Sequence, residues 1–329
     1  MSIQVIRAGI MDTLQDAGRF GYRHWGINPS GAMDGFAMQV ANALVGNPLR
    51  EAVIELHFPA STFLFGHPAL IAMAGADFSP AINGEPVPVG QPIRVNRHDV
   101  LQFSNPASGA VACLAVAGGF QAEPWLGSQS THLRAQKGGH GGRIFRKGDE
   151  ILFRQSFPPV PAPDGFLVLP WKADINWGDP FTDICILPGP EWDRLTVQQQ
   201  SGLPGELFHI RPGSDRMGFH LQETIQGYQP GEEMVSVTVT AGTIQLLPGG
   251  HLVILMADHQ VTGGYPRVAH VISAHLSKLS QHRPGDAVRF RLTDLQTAEA
   301  LLRRQQRHLL QLQNACTFRL EQYFHDSGF

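Results

Sequence analysis

The sequence predicts a mainly β protein with two barrel-like lobes and a few helices, including one at the C-terminal end. Glycine and proline are frequent, with 36 and 24 copies, and they separate short apolar runs rich in valine, isoleucine, leucine and phenylalanine. Many short strands between turn signals are typical of all-β sandwiches and barrels. The 329 residues, of which 43% are hydrophobic, exceed what one core usually fills, so we expect two lobes.

A short pattern that recurs in both halves supports this interpretation. Asp99–Phe103, Asp149–Phe153 and Asp286–Phe290 each begin with Asp, place an apolar residue two positions on and end with Phe. Asp favours turns and Phe favours strands, so each segment predicts a turn followed by a strand.

Two segments have helical periodicity. Apolar side chains between Met33 and Leu44 fall on one helical face, and Gly46 with the following Asn-Pro ends that helix. A second helix begins near Thr293, with Gln296 completing a capping box. Its apolar positions are Ala298, Leu301, Leu302, Leu309, Leu312 and Cys316.

Proline density marks the expected boundary between the lobes. Four prolines lie between residues 158 and 163, which is typical of a connecting segment. The predicted division is an N-terminal β-barrel-like lobe at 1–155, a proline-rich connection at 156–180, a C-terminal barrel at 181–292, and a helix and tail at 293–329.

Composition excludes several classes of function. The net charge of −3 gives no electrostatic basis for binding nucleic acid or anionic membranes. The apolar runs are too short to span a bilayer, and the N-terminus has no apolar leader region. Cys113, Cys185 and Cys316 are far apart in the sequence, which predicts a reducing compartment without disulfides. We therefore expect a cytoplasmic protein.

Several catalytic motifs are missing from the sequence. There is no P-loop, no G-x-S-x-G elbow and no H-E-x-x-H zinc motif. The 15 histidines are scattered, and His270 and His275 lie five apart in a strand-like stretch, which would place them on opposite faces. We therefore predict no metal site.

Two polar loops are candidates for chemistry. The first, Asp12–Asp34, offers carboxylates, a guanidinium and backbone N–H groups near a helix start, where anions bind well. The second, Asp258–Arg267, follows a buried strand and contains Gly-Gly, whose N–H groups can polarise a carbonyl oxygen or cradle a phosphate. The alternatives are turns and caps that only route the chain in the first loop, and a Gly-Gly hairpin turn in the second.

Six motifs in order carry a resemblance to a known family. They are TLQDAGRFGYRHWGINPSGAMD (13–34), VAGGF (116–120), LGSQSTHLR (126–134), DRMG (215–218), GTIQ (242–245) and DHQVTGGYPRVA (258–269). Together they resemble the family of 5-oxoprolinase C subunits, also called the KipA type or allophanate hydrolase subunit 2. The same module forms part of the carboxyltransferase region of urea carboxylase. The resemblance implies a cyclophilin-like β-barrel architecture for the lobes.

The resemblance also implies a set of site residues. The candidate catalytic residues are Asp258, Arg216, Asp16 and Gln245. The candidate substrate- or phosphate-binding residues are Arg19, Asp34, Thr262, Gly263, Gly264, Tyr265 and Ser128. Val261 and His259 depart from the family pattern, in which Thr and Arg are common at these positions.

The implied activity is ATP-dependent opening of the lactam ring of 5-oxoproline to give glutamate. The chain is expected to act only with the A and B subunits of the same enzyme, of which B is KipI-like, and to share ATP and Mg²⁺ with them. A lactam is a poor electrophile because its nitrogen lone pair is delocalised, so its carbonyl needs activation. We expect Arg19 and Arg216 to bind the substrate carboxylate or phosphate, and Asp258 to orient the substrate N–H or a metal-bound water. The Gly263-Gly264 amides would steady an oxyanion.

Two alternatives remain open at this point. One is a biotin-dependent carboxyltransferase that acts on a urea-like amide, with biotin on a separate carrier because no lysine follows a methionine here. The other is a non-catalytic regulatory or binding subunit, in which the loops form a protein interface. The catalytic interpretation predicts that the first loop and the Gly-Gly segment face a common cavity.

Overall fold

The structure is a computed structural model that describes residues 1–155, 165–174, 183–231 and 234–326, with side chains to residue 323. The chain forms two compact units. The first unit comprises Met1–Arg19, Asp34–Ile175 and Gln306–Phe329, and the second comprises Phe20–Met33 and Asn176–Gln305.

The predicted lobes were continuous segments of the chain, whereas each unit of the structure is made of separate segments. Residues 20–33 cluster with the second unit because Asn28, Ser30 and Gly31 hydrogen-bond to residues of that unit. Most of the predicted proline-rich connection, residues 156–164 and 175–180, lies outside the described residues. Leu167–Val168, within it, forms a strand of the first unit.

The described residues of the first unit form twelve strands, β1 to β12, helix α1 and the later part of the C-terminal helix. The strands are Ser2–Arg7, Thr13–Gln15, Val53–His57, Thr62–Phe65, Ala69–Asp77, Pro80–Ile82, Glu85–Pro86, Pro92–Val95, Val100–Phe103, Ser108–Val116, Glu150–Leu152 and Leu167–Val168. They form two six-stranded sheets, in the orders β11-β1-β4-β9-β6-β7 and β12-β8-β5-β10-β3-β2. One hydrophobic core contains side chains from both sheets.

Helix α1, Gly35–Leu44, lies against the two longest strands of this unit. Strands β5 and β10 are almost continuously apolar because both of their faces are buried. The predicted helix and its glycine stop are confirmed, and Gly46 adopts a left-handed φ of 74°. Cys113 lies buried in β10.

The second unit is a barrel of seven strands with a short two-stranded sheet. Its strands, β13 to β21, are Asp183–Pro188, Leu207–His209, Gly218–Thr224, Val237–Thr238, Thr243–Leu246, His251–Leu255, Thr262–Gly263, Arg267–Val271 and Ala287–Leu292. The seven-stranded sheet has the order β14-β21-β13-β20-β17-β18-β15, and β16 pairs with β19. A bridge between Ile210 and Leu221 joins the two ends of the large sheet and closes it. The predicted architecture is confirmed as mainly β, with a barrel-like sheet, few helices and a helix at the C-terminal end. The cyclophilin-like character of the two lobes stays a prediction.

Three further α-helices follow in the described ranges of the chain. They are α2 (Val197–Gly202), α3 (Ser273–Ser280) and α4 (Leu295–Asp326). The prediction that His275 continues a strand with His270 was wrong. His270 lies on β20 and His275 lies on α3, where its Nδ1 accepts a hydrogen bond from the Cys185 backbone N–H at 3.0 Å.

The C-terminal helix was predicted correctly, but its cap lies one residue later than expected. Asp294 Oδ1 accepts a hydrogen bond from the Thr297 backbone N–H at 2.7 Å. An aspartate caps as well as a threonine and adds a favourable charge at the positive end of the helix dipole. Among the predicted apolar positions, Ala298, Leu309 and Cys316 are buried.

One buried carboxylate gives this fold a testable pH dependence. Burial raises the pKa of Asp12 to about 6, and the nearby Glu55 adds to the effect. Asp12 accepts hydrogen bonds from the backbone N–H groups of His57 at 2.9 Å and Ser61 at 2.6 Å. Because the folded state binds this proton more tightly than the unfolded state, the ionised form weakens the fold, and this penalty disappears as the pH falls.

We therefore expect the free energy of unfolding of the wild type, relative to Asp12→Asn, to rise by about 1 kcal/mol between about pH 7.5 and about pH 5. Urea unfolding of both proteins across this range measures the difference. A difference that stays constant, or that falls as the solution becomes more acidic, would contradict the assignment.

Candidate functional site

In the first unit, Asp16 organises the hydroxyl-rich loop that follows Trp125. Its Oδ1 accepts hydrogen bonds from Ser128 Oγ at 2.7 Å and Ser130 Oγ at 2.5 Å. Its Oδ2 accepts from the Gln129 backbone N–H at 2.6 Å. The carboxylate is thus engaged by several donors of its own chain, so its role in this structure is to position the loop.

Arg19 belongs to the same cluster. Its guanidinium, in a side chain only 2% exposed, donates from Nη2 to the Ser130 carbonyl at 2.5 Å. Its Cζ lies 4.8 Å from the centroid of the Trp125 ring, which is a cation–π contact. The structure therefore brings three of the candidate site residues, Asp16, Arg19 and Ser128, into one cluster, in contacts that hold the loop.

Asp34 lies apart from this cluster as the cap of helix α1. Its Oδ1 accepts a hydrogen bond from the Ala37 backbone N–H at 2.8 Å, and the residue is buried. This geometry matches the alternative interpretation of that position as a helix cap.

In the second unit, Arg216 and Asp258 form a two-pronged ion pair. Arg216 Nε donates to Asp258 Oδ2 at 2.8 Å, and Nη2 donates to Oδ1 at 3.2 Å. Nη2 also donates to the Gly31 carbonyl at 2.6 Å, and Ser30 Oγ donates to Asp258 Oδ1 at 2.5 Å. Arg216 is only 5% exposed, and these contacts fix Asp258 and the segment around Ser30. The expected role of Arg216 in binding a substrate carboxylate or phosphate stays a prediction.

Ser30 adopts a backbone conformation that non-glycine residues rarely take. Its φ is 54°, in the left-handed region, and Gly31 follows with a φ of 101°. Such a conformation costs on the order of 1 kcal/mol and persists only when surrounding contacts hold it. Here the hydrogen bond to Asp258 provides one such contact.

Asn28 and His259 contribute polar groups that the sequence analysis did not select. Asn28 Nδ2 donates to the His259 carbonyl at 2.9 Å, which fixes the orientation of the amide. Asn28 Oδ1 is buried and has no hydrogen-bond partner among the described residues. His259 Nδ1 lies 2.5 Å from the Gln260 carbonyl and so carries the proton. Burial, aided by the charge of Arg23, lowers the pKa of His259, so the ring is neutral near pH 7.

Gln245, on β17, lies beside Gly263 on β19. Its Oε1 accepts a hydrogen bond from Gln260 Nε2 at 3.2 Å, whereas its Nε2 is buried without a partner in the described part of the chain. A Cβ on Gly263 would lie 2.5 Å from that nitrogen, so only glycine allows this approach. Gly263 pairs with Val237 in a short sheet and is not the tip of a Gly-Gly hairpin.

Gly264 and Tyr265 line a different feature, a pocket of about 700 Å³ on the second unit. Thr262, the remaining predicted residue of this loop, lies exposed on β19, where it pairs with Thr238. Residues of the Asp258–Gly263 loop thus contact different parts of the second unit: Asp258 pairs with Arg216, Gln260 bonds to Gln245, and Gly263 pairs with Val237. The predicted cavity shared with Asp16 and Arg19 relates residues of two units and stays a prediction.

The described residues include no cluster of three or more His, Cys, Asp or Glu side chains arranged to bind a metal ion. None of the helices in the described ranges is both long enough and apolar enough to cross a bilayer.

With this geometry in view, comparison with known proteins identifies the class. Residues 25–292 match the model of the family "Carboxyltransferase domain, subdomain A and B", and the chain belongs to that family. It is 32% identical to the 5-oxoprolinase C subunit of Escherichia coli, over 94% of this chain and 97% of that protein. It is 34% identical to the 5-oxoprolinase C subunit of Haemophilus influenzae, over 91% of this chain and 94% of that protein.

A solved structure agrees with the fold. The urea amidolyase of K. lactis superposes with a TM-score of 0.83 at 26% identity over 94% of this chain. This chain covers 20% of that much longer protein. The resemblance inferred from the motifs, to 5-oxoprolinase C subunits and to the carboxyltransferase region of urea-processing enzymes, is therefore confirmed.

The ion pair between Arg216 and Asp258 predicts a strong energetic coupling. Replacing Arg216 with Gln leaves a largely buried carboxylate without its countercharge, which should cost roughly 3 kcal/mol of unfolding free energy. Asp258→Asn in the Arg216→Gln background should cost much less than it does in the wild type. Urea unfolding of the two single variants and the double variant tests this, and additive losses would show that the two side chains act independently.

A side chain at Gly263 should displace the amide of Gln245, which is the far end of a buried side chain. Gly263→Ala should therefore cost about 1 kcal/mol of unfolding free energy, the low end of the cost of overpacking. Shortening Gln245 to Ala in the same protein removes the collision and should restore much of that loss. Unfolding curves of Gly263→Ala, Gln245→Ala and the double variant measure both steps, and the idea fails if Gly263→Ala is as stable as the wild type.

Proposed function

We propose that this chain is the C subunit of an ATP-dependent 5-oxoprolinase, which converts 5-oxo-L-proline to L-glutamate together with an A subunit plus a KipI-like B subunit. The observation that carries the proposal is the match to two proteins named as C subunits of 5-oxoprolinase, over 97% and 94% of their own length. The second polar loop, Asp258–Arg267, and the last part of the first, residues 25–34, lie within the residues that match the family model.

The arrangement of polar atoms in the second unit supports an amide substrate. Asn28 Oδ1 is a buried acceptor and Gln245 Nε2 is a buried donor, and neither has a partner among the described residues. An unpaired buried polar atom costs about 1–3 kcal/mol, so a ligand that pairs with it is favoured. A lactam presents an N–H donor and a carbonyl acceptor, the two kinds of group with which Asn28 Oδ1 and Gln245 Nε2 can pair.

The residues around these atoms can hold the site in place and can exchange protons with a substrate. Arg216 fixes the Asp258 carboxylate, and the Asp258–Gly263 loop holds Gln245 through Gln260. ATP, shared with the partner subunits together with Mg²⁺, supplies the phosphoryl group that activates the lactam oxygen. His259 is neutral near pH 7 because its pKa is lowered, so its Nε2 is available to accept a proton from the attacking water and to pass it to the leaving nitrogen as the lactam C–N bond breaks.

A biotin-dependent carboxyltransferase acting on a urea-like amide is the second candidate. It is favoured by the family to which residues 25–292 belong and by the structural match to a urea amidolyase. The same donor and acceptor would then hold a urea-like amide, and carboxybiotin would arrive on a separate carrier protein.

Reconstitution separates the two candidates. The chain is co-expressed with its cognate partner subunits, and ATP hydrolysis is measured with 5-oxoproline or with urea, alongside carboxyl transfer from carboxybiotin to urea. The proposal predicts ATP hydrolysis that depends on 5-oxoproline and produces glutamate in equal amount. Carboxyl transfer without 5-oxoproline-dependent hydrolysis would replace it with the second candidate, and neither activity would favour the non-catalytic interpretation.

Asn28 should be important for turnover within that complex. Asn28→Ala removes the unpaired acceptor and should lower kcat/KM for 5-oxoproline by roughly 10- to 100-fold, the effect of losing a buried hydrogen bond to a polarised group. Glu206→Gln, an exposed carboxylate of the same unit, serves as the control and should leave kcat/KM unchanged. Full activity of Asn28→Ala, with unfolding midpoints like those of the control, would remove Asn28 from the site.

A further inference from the structure

The pocket on the second unit has the size of a small-molecule site and lies outside the polar cluster described above. Its volume of about 700 Å³ is within the range typical of such sites. Its lining residues include Arg194, Tyr228, Met234, Leu246, Gly264 and Tyr265. Leu246 and Gln245 are neighbours on β17, so their side chains point to opposite faces, and the pocket is separate from the Gln245 amide.

Arg194 provides an uncommitted cation in this pocket. It ends a short 3-10 helix, Trp192–Arg194, and no described residue forms a hydrogen bond or ion pair with its guanidinium. Its Nη1 packs so closely against Gly231 that a Cβ there would collide with it. Glu232 and Glu233, next in the sequence, lie outside the described residues.

Glu191, a carboxylate that is affected by the charge of Arg194, is already paired with another arginine. Glu191 accepts hydrogen bonds from Arg267 Nε at 2.9 Å and from Arg267 Nη2 at 2.7 Å. It also accepts from the Arg267 backbone N–H at 2.8 Å. This pairing lowers the pKa of Glu191, with a smaller contribution from the charge of Arg194. Glu191 therefore stays ionised and committed to Arg267, which leaves the donors of Arg194 for a ligand.

The remaining lining determines the class of ligand. Met234, Leu246 and three prolines give apolar walls, and Tyr228 and Tyr265 provide rings for stacking. A single guanidinium pairs with one carboxylate through two parallel hydrogen bonds. A nucleoside triphosphate carries several negative charges, and Arg194 is the one cationic side chain in the described lining of this pocket.

We propose that this pocket is a second ligand site that binds a small monocarboxylate with a flat or apolar ring. Arg194 holds the carboxylate, and the ring packs against the tyrosines, Met234 and Leu246. The site goes beyond the proposed 5-oxoprolinase function and does not depend on it. It also gives Gly264 and Tyr265 a role in a pocket other than the amide site.

The test is calorimetric titration of the full chain with benzoate, 5-oxoproline, benzamide and ATP. Benzoate should bind, and benzamide, which has the same ring without the charge, should bind roughly 10- to 100-fold more weakly. Arg194→Gln should weaken benzoate to the same extent. Gly231→Ala should also weaken it, because the added methyl group displaces the guanidinium.

Arg304→Gln, an exposed arginine on α4 in the first turns of that helix, is the matched control and should bind benzoate like the wild type. Unfolding midpoints of all variants confirm that they are folded. The proposal is overturned if neither carboxylate binds, if benzamide binds as well as benzoate, or if Arg194→Gln keeps full affinity. ATP binding that depends on Arg194 would likewise overturn it in favour of a nucleotide site. If 5-oxoproline binding is lost in Arg194→Gln while benzoate binding is kept, the assignment of the carboxylate to Arg194 is also wrong.

Discussion

The ion pair between Arg216 and Asp258 is the interaction on which the candidate site depends. The guanidinium of Arg216, two residues before strand β15, binds both the carboxylate of Asp258 and the carbonyl of Gly31. The same carboxylate accepts the hydroxyl of Ser30 and so helps to hold that residue in its left-handed conformation. A buried pair of this kind adds little net stability, and its value lies in fixing the geometry of the segments that it joins.

The segments that this ion pair fixes also hold Asn28 and Gln245, each of which has one unpaired amide atom among the described residues. Asn28 lies two residues before Ser30 and donates to the carbonyl of His259, the residue after Asp258. Gln260 then holds Gln245, whose amide fits only because residue 263 is glycine. Each contact satisfies one end of a side-chain amide and leaves the other end without a partner in the described residues. The polar atoms left over are the ones that we assign to substrate.

Much of the architecture could be predicted from local patterns. Turn residues between short apolar runs indicated the strands, and the spacing of apolar residues indicated helices α1 and α4, because both signals report burial within a few residues. The assignment of residues 20–33 to the second unit could not be predicted in this way, since it depends on hydrogen bonds between positions about 190 to 230 apart in sequence. For the same reason, the motifs located the loops but did not distinguish the roles of their residues. Arg216 positions Asp258 and Gly31, whereas Asn28 Oδ1 has no partner in the described part of the chain. The helix of His275 was missed because it is only eight residues long and follows strand β20 after a single residue, so the apolar run of the strand appeared to continue.

The central claim is that the second unit recognises an amide through Asn28 and Gln245. The most direct measurement is a crystal structure of the assembled complex with 5-oxoproline bound. The account predicts the lactam N–H within hydrogen-bond distance of Asn28 Oδ1 and the lactam carbonyl within reach of Gln245 Nε2. A lactam held entirely by partner subunits, with both of these atoms still unpaired, would contradict it.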